Sequence, residues 1–399
     1  MKHWIWIGMA WLLCGSATPR IAVSEQPAPI YGVWIAAPQH NTMLHSRENI
    51  REQVRVLKQS GINTLFLCAW ADNKTAFKSK VLLKNANYPT LEDGWMFKNY
   101  TDGGKNADPV KELIRQAHQA GMKVVFWFEY GFMAQWGKEP TPDQHPILAA
   151  RPHWASRGND GKTANYNGSD YYFNAYHPEV QKFVLDLITE SLDLYPEVDG
   201  VQGDDRLPAS PANSGYDSST VAKYLQYSNG QTPPADFRDP QWFGWRVAQL
   251  NHFADRMHAV VKAKNKRYIM AFSPNPYPWC LENLMQDWPA WIRNGRVDML
   301  NVQCYRTNMA SYTATVSSAY TAAGEAGLEK SRFSPGMILG IASKKMLEPT
   351  TLDSMLRYNR EQGYGGQSYF YAKWIAQDTS FREVLKKQHQ PRVPDSRDK

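Results

Sequence analysis

Val198-Asp199-Gly200-Val201-Gln202-Gly203-Asp204-Asp205-Arg206 is a short, mostly apolar run that ends abruptly in two acids and an arginine. Bounded by Pro196 and Pro208, it is too short for a helix and carries the Val and Gly of a strand buried on both faces. Charges do not belong inside such a strand, so Asp204 and Asp205 mark the point where it emerges at its carboxyl end. In parallel α/β proteins that end is where ligands bind. Side chains alternate along a strand, which sets Gln202 and Asp204 on one side and Val201, Gly203 and Asp205 on the other. The polar set is expected to face the axis of a barrel. Asp204 therefore ranks first as catalytic carboxylate, with Asp205 turned into the cleft or holding Arg206.

On either side of this strand the same unit repeats. Strands are expected at Tyr31 to Ala36, Ile62 to Ala69, Lys123 to Glu129, Tyr268 to Ser273, Val297 to Cys304, Met337 to Ile341 and Gln367 to Tyr371. Helices are expected between them. Ser46 caps the first, which ends at Gly61; Asp108-Pro109 opens the second, Pro178 the third, and Pro240 a helix running to about Lys264. Further helices are placed near Glu282 to Arg293, Met309 to Glu325, Thr351 to Gln362 and Ser380 to Gln388. About eight strand-helix units predict an α/β fold, the (β/α)8 TIM barrel, over residues 30–388. The alternative, a doubly wound open sheet, often carries a Gly-rich phosphate turn after its first strand, and none is present. Two stretches, Tyr130 to His177 and Pro208 to Asp239, are too long for ordinary connections and are read as functional loops at the C-terminal face.

Length and composition fit a large core: 399 residues, 43% hydrophobic and 13% aromatic. Such an aromatic content suits a cleft that stacks on sugar rings, although barrel cores use aromatics too. Residues 1–24 read as a secretory signal peptide, with a basic tip and the apolar stretch Trp4 to Cys14, too short to span a bilayer comfortably; cleavage is placed after Ala17 or Ser24. Cys14 gives the alternative of a lipidated, membrane-anchored form; either way the chain is expected to be exported to the periplasm or cell envelope. Loss of Lys2 and Arg20 with the leader lowers the net charge from +7 to +5. Without a basic, aromatic-interleaved block, nucleic acid is not an expected partner. The three remaining cysteines, Cys68, Cys280 and Cys304, allow one disulfide of undetermined pairing and form no zinc motif. The tail 389–399 is polar. No cofactor or metal is expected, and oligomeric state is not encoded in any pattern seen here.

Glu129 ends the strand next to the opening one, so its carboxylate is the nearest candidate partner of Asp204 and Asp205; its bland alternative is a salt bridge to Arg206. Glycosidic cleavage passes through a cationic sugar, which one carboxylate stabilises while another group protonates the leaving oxygen. Adjacent acids divide those tasks because their repulsion raises one pKa. The pair also permits a variant in which it positions a 2-acetamido group of the sugar for attack on its own anomeric carbon. Alternation in the sixth strand sends Asn301, Gln303 and Tyr305 inward, a polar file that packing does not explain. No histidine pair at i+4 or Ser elbow supports a zinc or serine hydrolase; His145, His153 and His177 are read as loop or capping residues, and Ser273-Pro274-Asn275-Pro276 as a rigid loop shaping the cleft.

Gly32-Val33-Trp34, Ala107-Asp108-Pro109, Asn174 with His177-Pro178-Glu179-Val180, Val198-Asp199-Gly200 through Asp204-Asp205, Ser273-Pro274-Asn275, and Val297-Asp298 through Gln303-Cys304-Tyr305 follow one another in an order that resembles bacterial family-ten glycosyl-hydrolase-like proteins. The resemblance spans about Ile30 to Lys387. It implies a TIM barrel of the cell envelope acting on peptidoglycan glycan strands stripped of their stem peptides. By position it implies that the family's fourth-strand acids are Asp204 and Asp205 and that its sixth-strand signature is Gln303 and Tyr305. The expectation is an exported glycoside hydrolase of an N-acetylhexosamine-containing polysaccharide. Asp204, Asp205 and Glu129 are its catalytic candidates, and Trp34, Arg206, Asn275, Asn301, Gln303 and Tyr305 its substrate-binding ones. The alternative is a barrel that binds cell-wall glycan without cleaving it.

Overall fold

A computed structural model describes residues 28–389 apart from 99, 101, 103–106 and 142. The expected leader, Cys14 and most of the polar tail lie outside the described residues. Eight parallel strands form one sheet: β1 (Ile30–Ile35), β2 (Thr64–Cys68), β3 (Lys123–Phe128), β4 (Gly200–Asp204), β5 (Ile269–Ser273), β6 (Met299–Leu300), β7 (Gly336–Ile338) and β8 (Gly366–Phe370). Their spatial order is β6-β5-β4-β3-β2-β1-β8-β7. The ring closes between β6 and β7 through Ser334 N–H to Leu300 O at 2.9 Å and Gly336 N–H to Val302 O at 2.7 Å. With both faces covered, β2 and β4 are buried throughout, and β2 accordingly reads as a near-continuous apolar run.

The outer helices begin where the sequence marks them. Asp108 and Asp239 accept from the first free N–H groups of Pro109–Gln119 and Pro240–Lys264, each with proline at the first position. His145 and His177 cap Pro146–Ala150 and Pro178–Leu194 through ring nitrogens, which accounts for two of the three loop histidines. Cys68, Cys280 and Cys304 are free and buried, so no disulfide joins them.

Three boundaries differ from expectation. The helix placed at Glu282 to Arg293 is two, Trp279–Leu284 and Trp288–Arg293, because Met285 turns left-handed (φ 54°) and Pro289 starts a new turn. The seventh strand stops at Ile338, and Gly340–Ile341 pairs instead with Lys344–Lys345 in a hairpin. The sixth is regular only over Met299–Leu300; beyond it the backbone pairs through single bridges.

The excursion after β3 folds into a small antiparallel sheet of Met133–Trp136, Asp170–Tyr172 and Asn165–Tyr166, with Asp170–Tyr172 central. The residue before its first strand is tied to the turn after β4, with Phe132 N–H donating to Arg206 O at 3.0 Å. Gly131, at φ +48°, makes this approach possible: a Cβ there would stand 2.3 Å from the Arg206 carbonyl.

Candidate active site

The end of β4 turns sharply, with Leu207 N–H bonded to Asp204 O at 3.0 Å. The Leu207 carbonyl lies 2.5 Å from where a Cβ on Gly203 would be, so glycine permits the turn that gathers Asp204, Asp205 and Arg206.

Two polar layers fill the barrel mouth, and several of their bonds run between strands that are not neighbours. In the lower one, Trp34 Nε1 of β1 donates to Gln202 Oε1 of β4 at 2.8 Å, and Gln202 Nε2 donates to Asn301 Oδ1 at 3.0 Å. Asn301 Nδ2 donates in turn to Ser368 Oγ at 3.0 Å and Ser334 O at 3.3 Å. Every member is buried and bonded, the condition under which a buried polar network is stable. Trp34 is 1% exposed and Asn301 0%, so the structure places both beneath the acids with their polar atoms committed there.

The upper layer holds the acids. Asp204 points inward and is 2% exposed; its Oδ1 accepts from Ser273 Oγ at 3.0 Å and Gln303 Nε2 at 2.8 Å. Ser273 is therefore a strand-end donor to the acid rather than only part of a rigid loop. Gln286 Nε2 donates to the Asp204 carbonyl at 2.8 Å. Asp205 turns the other way: its Oδ1 lies 3.0 Å from Arg206 Nη1, and its Oδ2 accepts from Asn275 Nδ2 at 3.1 Å. Arg206 Nη1 also lies 3.7 Å from Asp204 Oδ2, and its Nε 3.5 Å from Asp170 Oδ2. Glu129 keeps part of its surface accessible and accepts from the Cys68 thiol at 3.3 Å. Among the described residues it makes no ion pair with Arg206, which is held by the three aspartates instead. Tyr305 packs its ring, tilted by 37°, against Phe370 at the end of β8, with centroids 5.6 Å apart.

The electrostatics separate the carboxyls. Burial, and then the charge of Asp205, raise Asp204 well above the usual carboxylate range, against Arg206. Burial also raises Glu129, against the pull of Arg206 and the Cys68 thiol. Burial, then the charges of Asp204 and Asp205, raise the Tyr305 hydroxyl and keep it a donor. The cluster thus sets two acids whose pKa is raised beside one carboxylate fixed by an arginine and an amide, a set able to donate a proton and face a cation together.

Asp170 escaped the sequence reading, and Tyr172 figured there only as one aromatic of the long Tyr130 to His177 loop. Tyr172 is buried with its hydroxyl unpartnered, close enough for Arg206 and Asp205 to act on it. Both sit in an excursion without periodicity; the only signal was an acid followed by two tyrosines just after the Gly168 turn.

Comparison with known proteins agrees with this architecture. The sequence model of the family described as glycosyl hydrolase-like 10 matches residues 29–356. "Glycosyl hydrolase DigH" of Escherichia coli strain K12 is 26% identical over 253 residues, as is its namesake in Shigella flexneri; the match covers 55% of this chain and 55% of either relative, so the chain spans about half the length of the curated relatives it matches. The PgaB (BpsB) glycoside hydrolase domain of Bordetella bronchiseptica superposes with a TM-score of 0.60 at 14% identity, over 92% of this chain and 100% of that one. A β-galactosidase of Bacillus circulans gives 0.59 at 11% identity, over 92% and 56%. At such identities the likeness to these two shows the fold alone, a TIM barrel. The family model spans most of the sequence, and the chain belongs to the glycosyl hydrolase-like 10 family.

Proposed function

We propose that the protein is a glycoside hydrolase of a bacterial envelope polysaccharide containing N-acetylhexosamine, with peptidoglycan glycan strands as its substrate. The observation that carries this reading is the division among three acids at one barrel mouth: Asp204 and Glu129 raised by burial, Asp205 paired with Arg206. Glu129, partly accessible on the neighbouring strand, donates the proton to the leaving oxygen. Asp205 faces the developing positive charge, held in place by Arg206 and Asn275. Asp204 lies beneath and sets the charge of the pair; with Tyr305 it orients a 2-acetamido group toward the anomeric carbon. The family membership and the relative named as a glycosyl hydrolase support the reaction class. Export to the envelope is part of the proposal and rests on the apolar stretch Trp4 to Cys14.

The test incubates purified protein, and its Asp204→Asn, Asp205→Asn and Glu129→Gln forms, with stripped glycan strands and follows released sugars by mass spectrometry. Products from the native protein, lost in the Asp205 and Glu129 variants, are expected. Retained binding without products from the native chain would leave a glycan-binding barrel.

A further inference from the structure

The small sheet after β3 places three residues in one row. Trp136 lies directly opposite Asp170, and Tyr166 lies opposite Asp170 from the other side. Directly paired residues project from the same face of a sheet, so Trp136, Asp170 and Tyr166 share one. Simple alternation from Met133 would send Trp136 to the reverse face. The register shift between Met133 and Gln135 re-aims it, and Asn73 Nδ2 and His145 Nε2 hold the Ala134 carbonyl at that irregularity, at 3.0 and 3.1 Å. Tyr166 continues the row by meeting Trp279 edge-on, ring centroids 5.4 Å apart at 90°. Trp136 is 65% exposed and Trp279 38%, among the largest apolar groups left open to solvent.

The middle and one end of this row are tied to the candidate active site. Asp170, in its middle, contacts Arg206, and Trp279 follows four residues after Asn275, which donates to Asp205. Trp136 and Tyr166 are separated by two inter-strand spacings, roughly 9.5 Å, close to the length of a disaccharide. An exposed ring and a half-buried one spaced like this, with a charged residue between them, suit the alternating apolar and hydroxyl faces of a sugar chain.

We propose that Trp136, Tyr166 and Trp279 form a stacking platform for the polysaccharide chain outside the residues being cleaved, so that long chains are held more tightly than short ones. This rests on the reading of the acid cluster as a glycan site. The test titrates the full chain carrying Glu129→Gln, which keeps the ligand intact, with β-1,4-linked N-acetylglucosamine di- and hexasaccharides in a calorimeter. Affinity is expected to rise with length. Trp136→Ala or Trp279→Ala is expected to weaken hexasaccharide binding roughly tenfold to a hundredfold, the scale of burying one aromatic side chain, with the disaccharide little affected. Phe at either position recovers most of the loss. Unchanged hexasaccharide affinity in both alanine variants overturns the platform and leaves the hydrolase standing. Failure of every chain length to bind overturns the glycan reading and the platform together.

Discussion

Gln303 reaches Asp204 across the barrel interior: its Nε2 donates to Oδ1 at 2.8 Å from the segment that follows β6, a strand that is not the neighbour of β4. The same amide donates to Ser273 O at 3.0 Å, so one side chain fixes both the acid and the end of β5 that supplies its second donor. Gln303→Ala leaves Asp204 Oδ1 with Ser273 as its remaining hydrogen-bond donor. We expect kcat to fall roughly tenfold to a hundredfold, the worth of one hydrogen bond to an acidic group, with a smaller effect on KM. A loss confined to KM would place Gln303 on the substrate instead.

The buried acid carries a stability cost with a definite sign. A carboxyl whose folded pKa lies above its unfolded one binds its proton more tightly when folded. Its contribution is full below the unfolded value, about 3.9 for Asp, and is lost as pH rises toward the folded value. Asp204 is raised, so the native protein is expected to lose stability from acid toward neutral pH relative to Asp204→Asn. Urea denaturation at about pH 4.5 and about pH 7.5 measures this, with the variant gaining on the native protein at the higher value. Parallel curves at both would show that Asp204 ionises freely.

The file Gln202 to Asp204 was legible because strand alternation is a local rule, and β4 obeys it. Where side chains go across the barrel is not local. The sequence placed Trp34 and Asn301 with the substrate, but nothing in a single strand says that Trp34 Nε1 meets Gln202 or that Asn301 closes onto Ser368. Asp170 was invisible for a related reason: its importance comes from a three-stranded excursion whose register is set by an irregularity near Ala134, with no periodic signature. Asn275 stood in a recognisable Pro-flanked loop, yet its bond to Asp205 needs the closed ring.

Cys68 tunes Glu129. The thiol is pushed well up by burial and then by Glu129 itself, so it stays protonated and donates to the carboxylate. That bond favours ionised Glu129, and its removal raises the Glu129 pKa. Cys68→Ala is expected to move the alkaline limb of the pH–rate profile upward by up to about one pH unit, while Cys68→Ser, which keeps a donor, stays near the native profile. An unmoved limb in the alanine variant would separate Glu129 from proton transfer.

Arg246 is a buried cation whose partners are carbonyls. Its Nη1 donates to Ala212 O at 2.6 Å and Ser214 O at 2.7 Å, its Nη2 bonds Phe237 O, and its guanidinium lies 4.5 Å from the Trp242 ring centroid. These contacts hold the excursion after β4 against helix Pro240–Lys264. The excursion in turn bonds the segment after β5, through Ser210 N–H to Leu284 O and Ala212 N–H to Asn283 O, and two residues beyond Leu284 stands Gln286, the donor to the Asp204 carbonyl. Arg246→Met keeps much of the stem and removes every donor, so the buried carbonyls lose their partners at an expected cost of about 2–4 kcal/mol in chemical denaturation. Because the loosened segment leads to Asp204, activity is expected to fade on warming below the midpoint of global unfolding, and proteolysis to begin between Pro208 and Asp239. Loss of activity only at the global midpoint would mean that the excursion and the acid cluster are not mechanically linked.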